Sequence, residues 1–308
     1  MRINLTATGW TNENGVLLGN WTNKVDTVES DTSIKIASGV TVDTLNGSDI
    51  ITCNSESEGI VLNGNSQLKT GDGNDVISSN GYTAIDLGYD AVLDTGDGND
   101  KLSGSGFEGF FLSDTGVINT GNGNDNISGT GFPVGINSRG TINTGSGNDV
   151  ITGIANGVID EFFLGSSGIS NYLGTIDTGS GNDTIFGKGE EFAISNYSGT
   201  INTGSGNDTI DALTGGLSDS DGSGRIDLGQ GDDLIRGFGD HRGNIDGGSG
   251  RDLAELGINY DETLITFGTQ GSTSIDITFN SETMSYSNIE VFDFNGQVFS
   301  LESLQALV

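Results

Sequence analysis

Nine aspartates recur along this chain at a near-constant step, each closing a short turn-forming segment: Asp49, Asp75, Asp100, Asp125, Asp149, Asp183, Asp208, Asp233 and Asp252. Six of the segments, ending at Asp75, Asp100, Asp125, Asp149, Asp183 and Asp208, read Thr-Gly-x-Gly-Asn-Asp. The copies ending at Asp49, Asp233 and Asp252 are weaker, and the first lacks the glycine pair. Such a segment is suited to binding a hard cation. The aspartate supplies a charged oxygen, and the glycines permit positive φ and leave backbone carbonyls open. If equivalent turns stack one strand spacing apart, ~4.8 Å, their carboxylates repel unless something sits between them. Ca2+ fits, because it takes about 6–8 oxygen ligands and mixes carboxylates with carbonyls. Mg2+ fits less well, since it prefers a small octahedron and retains water. Zn2+ lacks its usual ligands, with one Cys and one His in the chain.

The elements that must position these turns are legible in the flanking residues. The steps between successive aspartates are 26, 25, 25, 24, 34, 25, 25 and 19 residues. Two residues after each comes an apolar side chain: Ile51, Ile77, Leu102, Ile127, Ile151, Ile185, Ile210, Ile235 and Ala254. Seven residues before each comes another, from Val42 and Leu68 through Ile142 and Ile176 to Ile245. A third, less regular apolar column is expected at Ile85, Phe111, Ile136, Ile169 and Ile194. β-branched residues in short bursts between glycine turns predict strands, and no sustained helical period competes with them. A coil of ~25 residues cannot bury its few apolar side chains alone, but stacked coils can. The expectation is an all-β fold: a right-handed parallel β-roll or β-solenoid of about nine ~25-residue coils, roughly 40 Å long. Residues 1–40 would form N-terminal cap strands, 41–256 the solenoid, and 257–308 a C-terminal antiparallel β cap. In that cap Leu301, Leu304 and Leu307 suggest a short terminal helix.

Composition narrows the function. The chain has 308 residues, 53 of them Gly, and 43 acids against 11 bases, a formal net charge of −32. Phosphate contacts need Lys and Arg, so direct binding to nucleic acid is excluded as a main activity. An excess of this size repels itself in a compact state, and bound cations would offset it. One Pro and no strict third-residue Gly period exclude collagen. Cys53 alone forms no intrachain disulfide. No apolar run approaches the ~18 residues of a membrane helix, and the first residues lack a secretory h-region.

The turns resemble the glycine-rich calcium-binding repeats of RTX (hemolysin-type) proteins. Gly247-Gly248-Ser249-Gly250-Arg251-Asp252 matches the whole hexapeptide, and Thr replaces the first Gly in six copies, at Thr70, Thr95, Thr120, Thr144, Thr178 and Thr203. The similarity spans roughly residues 40–255. It implies that the nine aspartates supply carboxylates to calcium. It also implies that Gly71 and Gly73, Gly96 and Gly98, Gly121 and Gly123, Gly145 and Gly147, Gly179 and Gly181, Gly204 and Gly206, Gly229 and Gly231, and Gly248 and Gly250 shape the turns, with nearby carbonyls as ligands. The family's usual roll carries a ligand turn about every nine residues, whereas here one comes per ~25, which implies one row of sites. Up to about eight Ca2+ would carry about +16 against −32 and leave about −16. The resemblance further implies secretion through an uncleaved C-terminal signal.

Other features have plainer readings. Asp43, Asp94, Asn119, Asn143, Asp177, Asn202, Asp227 and Asp246 lie six before each aspartate, with Lys69 breaking the column. They read mainly as Asx turns or ladders, with a ligand role for some as the alternative. His241, in Gly239-Asp240-His241-Arg242-Gly243, reads as a surface-loop residue, since no nucleophile is identifiable beside it. Asp160-Glu161-Phe162-Phe163-Leu164 reads as a coil corner, or else as a partner-binding protrusion, and Tyr82, Phe107 and Phe132 as a stacked aromatic ladder. Three functions remain: a calcium-stabilised structural or binding module with an unknown protein or surface partner, an enzyme on the same scaffold, and an ice-binding or adhesion protein. The second resembles the calcium-binding part of certain cyanobacterial alkylating enzymes, but the chain has no His-Glu-x-x-His or Gly-x-Ser-x-Gly segment. The third would want Thr between the two glycines, where the chain has Asp72, Asp97, Asn122, Ser146, Ser180, Ser205, Gln230 and Ser249.

Overall fold

The computed structural model describes residues 2–5, 23–157, 166–219, 222–268 and 273–307. The chain winds as a stack of strand turns, each strand hydrogen-bonded in parallel to its equivalents in the turns before and after. Three parallel faces result. One begins just after each aspartate and runs from Thr27–Ser30 through Ile50–Asn54 and Val150–Ala155 to Leu253–Glu255 and Val291–Phe294. A middle face runs from Ile34–Ile36 through Val134–Ser138 to Asp240–Asp246. The third precedes each aspartate and runs from Thr41–Asp43 through Thr141–Asn143 to Arg225–Asp227.

The repeat sets the register. Ile127 pairs with Leu102 on one side and Ile151 on the other, and Ile142 pairs with Ile118 and Ile176. These columns are fully buried. Their alternation with half-exposed neighbours, as in Thr141–Asn143, follows the two-residue period of a strand. Each buried Ile contributes roughly 1.5–3 kcal/mol, and stacking lets short strands reach that burial. The long step between Asp149 and Asp183 leaves the register intact, since Ser167–Asn171 still pairs with Val134–Ser138. Residues 158–165, which include Asp160 to Leu164, lie outside the described residues.

Two details differ from expectation. Nine aspartates delimit eight full turns, one fewer than the nine coils expected between them. In the middle face the inward aromatic is Phe110, not Phe111. Phe110 pairs with Ile85 and Ile136, while Phe111 pairs with Asp86 and Asn137 on the outer side. A one-residue choice reverses the face, and the adjacent pair Phe110-Phe111 gives spacing alone no means of deciding it.

The parallel ladders reach beyond residues 41–256 at both ends. Thr27–Ser30 and Arg2–Leu5 continue the first face. After residue 256 the chain folds into an antiparallel meander, Leu264–Phe267, Ile275–Phe279 and Glu282–Ser287. The last of these also pairs in parallel with Asp240–Asp246, and Val291–Phe294 pairs in parallel with Leu253–Glu255. The C-terminal cap is thus antiparallel within itself and parallel where it meets the rod. A short helix, Leu301–Gln305, follows with Leu304 buried. Among the described residues no helix is long and apolar enough to cross a membrane.

Candidate metal centre

The turn geometry comes from its glycines. All sixteen singled out above have positive φ, for example 82° at Gly96 and 156° at Gly98. Stacking makes a second demand. A Cβ on Gly98 would collide with the Gly73 carbonyl, and one on Gly96 with the Gly71 carbonyl. The turns themselves form a ladder, in which Asn122, Ser146, Ser180, Ser205, Gln230 and Ser249 bridge in sequence. Ser146 N–H donates to Gly121 O at 3.0 Å, and Gly147 N–H donates to Ser180 O at 2.7 Å. Carbonyls of the first glycine and of the residue between the pair are therefore engaged between coils. In the first copy Leu45 stands in the first glycine position with φ 69°.

The nine aspartates form one buried column, none more than 2 % exposed. In every member Oδ1 accepts the backbone N–H of the preceding member. The series starts with Asp26 N–H to Asp49 Oδ1 and runs to Asp233 N–H to Asp252 Oδ1, at 2.7–2.9 Å. It ends where Asp252 N–H donates to Glu290 Oε2 at 2.8 Å. The sequence reading missed both terminal members. The available signal was weak: Asp26-Thr27-Val28 and Glu290-Val291-Phe292 keep the acid and the apolar residue two places on, but no glycine pair precedes them.

The second carboxylate oxygen differs. Oδ2 of Asp75, Asp100, Asp125, Asp149, Asp183, Asp208, Asp233 and Asp252 is buried with no hydrogen-bond partner. Asp49 is the exception, since its Oδ2 accepts from Thr44 Oγ1. Leaving a carboxylate oxygen dry and unpaired is costly. Burial accordingly raises the carboxyls of Asp100, Asp183 and Asp233 to about 7 and those of Asp75, Asp125 and Asp252 to about 6, against the lowering effect of the column N–H groups and of the nearby Thr70, Thr95, Thr120 and Thr178 side chains, which lack good hydrogen-bond geometry to Oδ2. Asp49, Asp149 and Asp208 are raised for the same reason. Neighbouring column members add repulsion at Asp100, Asp183 and Asp233.

This donor set fits a hard cation. A line of charged, unsatisfied oxygens one turn apart is what Ca2+ neutralises. Among the described residues no three His, Cys, Asp or Glu side chains converge on one point. An ion on the column would therefore be shared between successive turns and complete its shell with backbone oxygen or water. Cys53, the single cysteine, is buried in the apolar core.

The other columns are accounted for without an ion. The residues before the aspartates, Asn in six of the nine turns, form a ladder running the opposite way, with Asn99 N–H donating to Asn74 Oδ1 and Asn182 N–H to Asn148 Oδ1. The column six before each aspartate is an outer ladder: Asn119 Nδ2 donates to Asp94 Oδ1, and Asn202 Nδ2 to Asp177 Oδ1. Asp43 and Asp246 each accept an N–H two residues on, as Asx turns do. The Thr column is fully buried; Thr178 Oγ1, for example, donates to Thr203 O at 3.2 Å. The residues between the glycine pairs are the outward ones, mostly exposed. Tyr82 and Phe107 stack at 4.7 Å with their planes 5° apart, as do Tyr172 and Tyr197 at 4.8 Å.

His241 corrects the sequence reading. It is fully buried and not in a surface loop, stacked in register between Asp219 and Met284. Its Nδ1 pairs with Gly243 O at 3.0 Å. Burial lowers its pKa below the ordinary imidazole value, opposed by the charge of Asp219. The inward position of the middle face, apolar at Leu87 and Leu112, turns polar from Ser138 and Asn171 to Asp219 and His241.

No protein-family model matches the chain, and no curated protein matches it. Among solved structures it is similar to a hyperactive, Ca2+-dependent, β-helical antifreeze protein from an Antarctic bacterium. The identity is 17 % and the TM-score 0.44, over 92 % of this chain and 91 % of that one. At that distance the likeness carries no argument about this chain's ligand or role.

Proposed function

We propose that the chain is a calcium-binding β-solenoid whose folding is coupled to Ca2+, and that it acts as a structural or binding module. One observation carries this reading: eight buried carboxylate oxygens, one per turn, without a hydrogen-bond partner. Ions lying along the column between successive turns, up to about eight, would satisfy those oxygens and offset part of the −32 charge. The glycines hold the turns close enough for neighbouring carboxylates to share an ion. The hemolysin-type resemblance belongs to the same proposal, as does export by a C-terminal signal into a calcium-rich exterior. The outward residues between the glycine pairs and the asparagine column beside them would then be the ordered surface such a module presents to a partner.

The test is far-UV circular dichroism of chelator-treated protein during a calcium titration, with magnesium as control. A cooperative gain of β signal with calcium alone is expected, because ions that bind only the folded state drive folding. A spectrum already β-rich in chelator and indifferent to calcium would end the proposal and leave the column as a structural ladder.

A further inference from the structure

At the last turn the column changes its chemistry. The turns of Asp49 to Asp208 place Thr five residues before the aspartate and that of Asp233 places Leu228, whereas the turn of Asp252 has Gly247 there. A Cβ on Gly247 would collide with the carbonyl oxygen of Asn288 and lie 2.7 Å from Asp252 Oδ2. Those two oxygens therefore converge on one point, with the Ile289 Cδ1 methyl 2.9 Å from it, and no side chain at residue 247 could occupy that point without displacing them. Asp252 is fully buried, and its Oδ2 has no partner. A third oxygen group arrives from the C-terminal cap, since Glu290 Oε2 accepts Asp252 N–H as Oδ1 does at every earlier step. Asp232 and Asp246 add negative charge around Asp252, and Arg251 is exposed with no ion pair among the described residues.

The cap segment that carries Glu290 is fixed on both sides. Gly247 N–H donates to Ser287 O, Val291 N–H to Asp252 O, and Leu301 N–H to Glu290 O, at 2.9–3.0 Å. Asn288 Nδ2 donates to Asp246 Oδ1 at 2.7 Å. This segment reaches the column without any glycine turn, by the longer glutamate side chain. We propose that Asp252, Glu290 and the Asn288 carbonyl hold a terminal Ca2+ that fastens the C-terminal cap to the rod. The inference rests on the calcium reading of the column and adds a site that the repeat motif does not contain. Its consequence is that docking of residues 282–300 depends on calcium separately from the coils.

The experiment counts bound calcium by equilibrium dialysis with radiolabelled ion, and follows hydrogen exchange of the cap, in wild type, Glu290→Gln and Glu290→Asp. Gln retains an oxygen that can accept Asp252 N–H, so it removes charge and leaves the hydrogen bond available. Glu290→Gln should bind one ion fewer per chain. Its amides over 282–300 should exchange at least about tenfold faster at saturating calcium, with those over 117–143 unchanged. Glu290→Asp keeps the charge on a shorter arm and should keep the ion at weaker affinity. An unchanged ion count together with an unchanged cap in Glu290→Gln overturns the terminal site while leaving the column reading in place. A wild-type protein that binds no calcium overturns both.

Discussion

At the scale of single residues, the tension in this molecule lies in one atom repeated. Asp183 shows it: Oδ1 accepts the Asp149 N–H, Oδ2 has no well-formed hydrogen bond and only the Thr178 side chain nearby to ease its charge, and the side chain is buried. Without metal the column has one relief, protonation. Folded carboxyls at about 6–7 stand above their unfolded value of 3.8, so their favourable contribution is complete below 3.8 and is lost as pH rises through 6–7. In chelator the protonated column should hold the rod folded near pH 4, and melting temperature should fall as pH rises until no folded protein is left near neutrality. Asp183→Asn keeps an acceptor for the Asp149 N–H and removes the buried charge. In chelator at pH 5, where folded protein can still be melted, it should stabilise by about 1 kcal/mol and flatten the fall. In saturating calcium the same substitution should destabilise, since it removes a ligand. Opposite signs in the two melts are the signature, and a destabilised variant in both would show that the charge is satisfied by something other than calcium.

At the scale of elements, the turn is more constrained than the strand. A strand position tolerates exchange among β-branched residues, whereas the second glycine of each turn is held by both torsion and stacking. Gly98 has φ 156° and faces the Gly73 carbonyl, while Gly39 has φ 74° with nothing within 4 Å of a Cβ. Gly39→Ala should cost about 1 kcal/mol, the price of its torsion alone. Gly98→Ala should cost about 3 kcal/mol or more, because the coil above must move. Urea midpoints in saturating calcium measure both, and equal losses would mean that the turns can part without resistance. The expected glycine pairs are where the sequence places them, yet the first glycine's carbonyl in the turns of Gly121, Gly145, Gly179, Gly204 and Gly229 is engaged in the inter-coil ladder. Motif spacing shows which residues share a turn and is silent on how one turn bonds to the next.

At the scale of the whole molecule, a chain of net charge −32 is folded as a stack in which every turn touches only its neighbours. Stability in such a stack is close to a sum over adjacent interfaces. If calcium occupies those interfaces, its removal weakens all of them at once. Small-angle scattering should then report a radius of gyration of about 60 Å in chelator and slightly more than about 20 Å in calcium. A compact particle under both conditions would show that the Ile columns hold the rod without ions. Arg236, paired with Asp211 at 2.9 Å and with Glu255 at 2.9 Å, is the main basic link between coils on the outer side. Those contacts are partly exposed and contribute little beside the buried column.

The sequence by itself determined the period, the two Ile columns and the nine aspartates, because stacking projects a regular spacing along the chain directly into a column in space. Tertiary structure alone decided which of Phe110 and Phe111 faces inward, that His241 is buried, and that Asp26 and Glu290 extend the acid column. It also decided which oxygen of each aspartate is bonded and which is left dry. These choices depend on atoms of the adjacent coil, 19 to 38 residues away along the chain. Local spacing places a side chain on a face, and only the neighbouring turn supplies or withholds its partner.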